Sequence, residues 1–269
     1  MKKALILAFV LTAGFALAQD SSPDRVTVAF SDPSRPKRLQ ASLLNGGITV
    51  RGYDGKDAII EARGERHHRR DERSDGMHRI DQVGSGLSIE ESDNVIKVGT
   101  RAINDNIDLI IQVPYATSVK LSATNGGDII VDHVSGDVEV NNTNGNATAT
   151  HITGSAVVHA LNGKVVVTLD RITPDKPMSF SSLNGDIDVT LPGDIKARVK
   201  MKSDNGEIYS DFDVKLDASA RQPVVEDQRS EHGKYRVRFD KVVYGMINGG
   251  GPEVQFTTFN GNIYIRKAK

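Results

Sequence analysis

The chain has no cysteine and no tryptophan, and only 5% of its 269 residues are aromatic. The first absence excludes disulfides, thiolate metal sites and a cysteine nucleophile, along with lipid attachment at an N-terminal cysteine. The second leaves little from which to build a broad aromatic ligand platform. Charge of one sign is lacking too. With 34 basic side chains against 35 acidic ones, no global field draws the protein to nucleic acid or membrane. No Gly-x-Ser-x-Gly nucleophile elbow occurs, and no dinucleotide fingerprint. The glycine-rich stretch Asn248-Gly249-Gly250-Gly251-Pro252 lacks the Lys and the Ser or Thr of a phosphate loop.

Long apolar runs are confined to the N-terminus. Met1-Lys2-Lys3 is followed by an apolar stretch from Ala4 to Phe15, then by the small-residue signal Ala16-Leu17-Ala18. That order predicts a signal peptide over residues 1–18 and a mature chain from Gln19. The run is shorter than the roughly 20 residues that span a bilayer, which argues against an anchor. An exported protein, periplasmic or secreted, with no transmembrane segment in the mature chain is the expectation.

What is abundant is glycine, 25 residues of it, and its spacing is regular. Gly126, Gly136, Gly145, Gly154 and Gly163 follow one another at intervals of 10, 9, 9 and 9 residues. Asn-Gly recurs at Asn125, Asn144, Asn162, Asn184 and Asn205, at intervals of 19, 18, 22 and 21, with further copies at Asn45 and Asn260. After each glycine, polar and apolar residues alternate. The side-chain period of two puts Val138, Val140, Ile187, Val189, Ile263 and Ile265 on one face. Two inward residues per strand cannot stabilise a strand alone, so the copies must stack.

The expected fold is an all-β β-solenoid, β-helix-like, with about 20 residues, two short strands and two turns per coil. Asn at equivalent corners is expected to hydrogen-bond in a ladder, and the corner glycines to turn with positive φ. An antiparallel sandwich of Asn-Gly hairpins is the rival. Residues 19–269 read as a single domain with a charged insertion over about 63–86, an excursion over 218–233, and last coils from Lys234 to Tyr244 and from Met246 onward.

The stretches LNGGITVRGYDG, TNGGDIIVDHVSGDVEV, LNGDIDVTLPGDIKARVKMKSDNGEI and NGGGPEVQFTTFNGNIYI together resemble the bacterial putative-adhesin family, an exported domain of unknown function. The resemblance runs from about Val26 to Arg266. It implies an adhesin-like or envelope role and brings no catalytic residues with it.

Four groups of residues are candidates for chemistry. His67, His68 and His78 with Asp71, Glu72 and Asp75 match no standard metal spacing and read as a solvated charged segment. Asp186 with Asp188, and Asp137 with Glu139, share strand faces, as paired acids would, but outward solenoid positions must be polar for solubility alone. His133 and His151 lie 18 residues apart, one coil, and should stack about 4.8 Å apart without a third ligand. His159 falls 8 residues beyond His151. Tyr209 and Tyr264 each stand three residues after a repeat glycine and face outward.

The functional expectation is therefore a non-catalytic cell-envelope protein with no catalytic, cofactor-binding or metal residues and no cofactor. Its partner would be an unidentified envelope or surface macromolecule, protein or polysaccharide, and not nucleic acid. The alternatives are a carbohydrate-active β-helix enzyme, a lyase or hydrolase, and a self-assembling scaffold that uses its exposed strand edges.

Overall fold

The computed structural model describes residues 24–64, 86–100, 106–173, 176–217, 224–228, 234–238 and 241–269. Within these, all regular structure is strand. The first part of the chain contributes β1 (Asp24–Val28), β2 (Lys37–Asn45), β3 (Ile48–Tyr53), β4 (Ala58–Gly64), β5 (Leu87–Ser92), β6 (Val95–Thr100) and β7 (Ile107–Pro114). The regular repeat then supplies β8 (Thr117–Asn125), β9 (Ile129–Asp132), β10 (Val138–Asn144), β11 (Ala147–Gly154), β12 (Ala156–Asn162), β13 (Val165–Ile172), β14 (Met178–Asn184) and β15 (Ile187–Leu191). The last part adds β16 (Ala197–Asn205), β17 (Ile208–Ser210), β18 (Lys215–Leu216), β19 (Val224–Gln228), β20 (Lys234–Arg238), β21 (Val242–Ile247), β22 (Glu253–Asn260) and β23 (Ile263–Lys267).

Even-numbered strands of the repeat join one sheet and odd-numbered ones the other, each pairing in parallel with its counterpart one coil away. Equivalent residues therefore line up in rows. Val119, Val138 and Ala156 form one such row at offsets of 19 and 18 residues. Ile129, Ala147, Val165, Ile187 and Ile263 form another on the opposite sheet. These rows are buried between the sheets, as the two-residue alternation requires. The core is largely aliphatic, with three buried phenylalanines, Phe30, Phe180 and Phe256; the rings of Phe180 and Phe256, on adjacent strands, lie 5.4 Å apart.

The architecture is solenoid-like, and the antiparallel sandwich is ruled out as the main frame. Antiparallel pairing is confined to the sheet ends and to one separate hairpin. Strands β4 and β1 continue one sheet beyond β7, β5 lies outside β6, and β21 and β18 lie outside β16.

Coil order in space departs from order in the chain at both ends. Strands β22 and β23 lie between β14–β15 and β16–β17. Likewise β2 and β3 sit between β6–β7 and β8–β9. The expected coil from Lys234 to Tyr244 does not exist: β20 pairs with β19 in a two-stranded sheet of its own, and β21 runs antiparallel to β16. The charged insertion begins later than expected, since Arg63 and Gly64 are paired residues of β4. The expected signal peptide, residues 65–85, and residues 218–223 and 229–233 of the excursion lie outside the described residues.

The corner glycines are needed, but for a different reason at different corners. Gly126 has φ 78° and open space where a Cβ would point. Gly145 and Gly163 do not have positive φ. A Cβ on Gly163 would instead stand 2.1 Å from the carbonyl oxygen of Gly145, and one on Gly145 would stand 2.2 Å from that of Gly127. Successive corners touch backbone to backbone, leaving no room for a side chain.

Candidate functional site

The corners are tied along the stack by two ladders of side chains. In the first, the Nδ2 of each asparagine donates to the Oδ1 of the next. Asn144 to Asn125 spans 3.5 Å, Asn162 to Asn144 2.9 Å, and Asn184 to Asn162 2.8 Å. The ladder extends through Asn260 and Asn205 at one end and to Asn45 at the other. In the second, a side-chain oxygen just after the glycine accepts a backbone N–H from the neighbouring coil. Asp128 accepts from Asn146 at 2.7 Å, Asn146 from Lys164 at 2.9 Å, and Asp186 from Asn262 at 2.9 Å.

The acid pairs singled out from the sequence belong to this framework. Asp186 is a rung of the second ladder and lies 3.8 Å from the Lys164 ammonium. Asp188 is held by both Nε and an Nη of Arg266, at 2.7 and 3.0 Å. Asp137 accepts from Lys176 and from Ser155 of the next coil, each at 2.7 Å at closest. Partial burial raises the Asp137 pKa, but these two partners outweigh it and lower it. Glu139 pairs with Lys120 at 2.9 Å. The members of each pair are thus engaged by different cations.

His133 and His151 do stack, with ring centroids 4.3 Å apart and planes 20° from parallel. The backbone explains how. Asp132 of β9 is in register with Thr150 of β11, so the two histidines occupy equivalent places in adjacent coils. Beyond Ala149 the register of β11 against β13 shifts, and Thr150 and His151 together face a single residue. Such a bulge re-aims a side chain. Both histidines have left-handed backbone, φ 55° and 53°.

Asp132 completes the group. His133 Nδ1 approaches Asp132 Oδ2 at 2.9 Å, and His151 Nδ1 approaches Oδ1 at 3.0 Å. Thr150 donates its hydroxyl to the same Oδ1 at 2.8 Å. Partial burial pushes the Asp132 carboxyl up, but the bonds from the two rings and from Thr150 outweigh it and hold the carboxyl at about 2. Sequence reading missed Asp132. The available signal was its place next to His133 and 19 residues, one coil, before His151.

His159 is not part of the cluster: it lies on the other sheet, with Nδ1 2.8 Å from Ser181 Oγ. His67, His68 and His78, with Asp71, Glu72 and Asp75, lie outside the described residues. Tyr209 and Tyr264 face outward as expected and stack on each other, 5.3 Å apart and 8° from parallel. Arg266 covers the Tyr264 ring at 5.4 Å, and the Tyr209 hydroxyl donates to Glu207, which raises the phenol pKa.

The family described as Toastrack DUF4097 matches residues 116–241, the stretch from the start of β8 through β20. The matched stretch contains the four central coils and the whole Asp132–His133–His151 group. The chain is also similar to crystal structures of three proteins. A putative cell adhesion protein of Clostridium sporogenes is 13% identical over 92% of this chain and 100% of that one, with a TM-score of 0.48. A putative adhesin of Bacteroides fragilis is 11% identical over 92% and 98%, with a TM-score of 0.39. A putative adhesin of Parabacteroides distasonis is 8% identical over 93% and 98%, with a TM-score of 0.29. No curated protein matches the chain.

Proposed function

We propose that the protein is a non-catalytic component of the cell envelope, exported behind the leader at residues 1–18, that acts adhesin-like through its extended β faces. The reading treats the stack as a β-solenoid with a coil of about 20 residues, which displays equivalent outward positions at the spacing of the strands. The observation that carries it is the use made of the acids. Asp137, Glu139, Asp186 and Asp188 are each tied to a neighbouring coil or to an adjacent cation, which suits a rigid presenting surface better than a reactive groove.

A carbohydrate-active enzyme is the second reading, and one feature favours it. The Tyr209–Tyr264 stack stands beside Glu207, and aromatic faces bind sugars. The scaffold reading draws less support. Strands β17 and β18 at two sheet ends are three and two residues long, and β1 and β5 at the others carry Asp24, Arg25, Glu90 and Glu91. Short and charged edges discourage further pairing.

No helix among the described residues is long and apolar enough to cross a membrane. The test is a panel of envelope polysaccharides, peptidoglycan and surface proteins, scored for both retention and turnover by purified protein. Retention without turnover is the expected result. Turnover abolished by Glu207→Gln or Asp186→Asn in a folded protein would establish the enzyme instead.

A further inference from the structure

We propose that Asp132, His133 and His151 bind a divalent transition-metal ion of the zinc, nickel or copper type. Three different ligand atoms, one from each residue, lie within 4.8 Å of one another on the described surface. Both imidazoles turn the same nitrogen, Nδ1, toward one carboxylate, at 2.9 and 3.0 Å. A tetrahedral ion about 2.1 Å from each ligand needs ligand atoms roughly 3.4 Å apart, a separation within the 4.8 Å span of the three atoms, so the side chains must adjust around the ion to admit it. The fourth position faces solvent, since both histidine side chains are about half exposed.

The backbone is committed to this arrangement. Of the five non-glycine residues with positive φ among those described, three are Asp or Asn, which tolerate it best; the other two are these histidines. A left-handed backbone strains a residue that has a side chain, and here two adjacent coils each carry one. A solvent-facing polar position does not need that conformation. These two left-handed residues are the ones whose side chains, from successive coils, converge on one carboxylate.

Thr150 supplies the supporting contact. Its hydroxyl holds Asp132 Oδ1, while its carbonyl accepts the His133 backbone N–H at 3.1 Å. Such outer contacts fix the orientation of metal ligands. Coordination through Nδ1 requires each neutral ring to move its proton to Nε2, an atom with no hydrogen-bond partner among the described residues. Two imidazoles and a single carboxylate select borderline transition metals over calcium or magnesium, which take sets of oxygens.

The test is titration calorimetry of untagged full chain with Zn²⁺, and with Ca²⁺ for comparison. His151→Asn, His133→Asn and Asp132→Asn are the variants: asparagine accepts the left-handed backbone of the two histidines and is isosteric with Asp132. One zinc per chain, weakened at least tenfold by each substitution, is expected. Binding should persist in the triple variant His67→Ala, His68→Ala, His78→Ala and in His159→Ala. Zinc binding that is absent, survives His151→Asn, is lost in the triple variant, or is matched by calcium would overturn the proposal. Circular dichroism of each variant separates ligand loss from unfolding.

Discussion

Asn260 donates its Nδ2 to the Oδ1 of Asn184 at 2.7 Å, although 76 residues separate the two in the chain. The bond joins a coil near the C-terminus to one in mid-chain, because β22 is inserted between β14 and β16. Asn184 also donates to Asn162, so it holds the ladder on both sides. Asn184→Ala removes both links on an exposed edge and should cost about 1–2 kcal/mol, read from urea unfolding.

The same insertion makes the C-terminus structurally central. In a solenoid stacked in chain order, deleting the last coil trims an end. Here, deletion from Glu253 onward removes the strand that joins β14 to β16, leaving β14 paired only with β12, and exposes Phe180, Met178 and Val199. Exposing these core residues loses about 25 cal/mol for each Å² of apolar surface. The truncated chain should lose cooperative unfolding and bind a hydrophobic dye. A truncated chain that melts sharply near the native temperature would contradict the coil order.

Glycine substitutions should separate the two corner geometries. Gly126→Ala meets open space and is left only with the strain of φ 78°, a cost of about 1 kcal/mol. Gly163→Ala has no such strain but drives a methyl into the Gly145 carbonyl, so the coils must part. A larger cost, about 2–3 kcal/mol, is expected there. Melting temperatures of the two single variants check the order. Equal effects would mean that the close approach of the coils at Gly163 is not what makes that glycine necessary.

Acid should reveal Asp132. Its carboxyl is held at about 2, below its ordinary value near 4. A carboxylate with a depressed folded pKa contributes stability that is complete above the unfolded value and lost as pH falls through the folded one. Between about pH 4 and pH 2 the native protein should therefore lose stability more steeply than Asp132→Asn, with the difference vanishing above pH 5. The comparison needs unfolding midpoints of both proteins across that range, since Asp137, Asp32 and Glu91 are also lowered and contribute to the slope of each. Parallel profiles would show that the carboxylate's bonds to the histidines do not persist in solution.

Some of this was legible from the chain alone because it is local. Alternation around Val138 and Val140, or Ile263 and Ile265, depends only on the pleat of one strand, and the inward face follows from it. Asparagines repeated at one coil's spacing must coincide once coils stack, so the ladder and the contact between His133 and His151 could also be foreseen. Whatever depends on which coil lies against which could not. Inward rows of Val, Ile and Ala fit almost any equivalent neighbour, so nothing in the period distinguishes a coil at the end of the stack from β22–β23 placed inside it. The corner glycines look alike in sequence, yet whether Gly126 is needed for its φ or Gly163 for its missing Cβ is set by the backbone of the adjoining coil. Asp132 joins the two histidines for the same kind of reason. A bulge in β11 turns His151 toward a neighbour one coil away, and only the stacked backbone decides where that bulge falls.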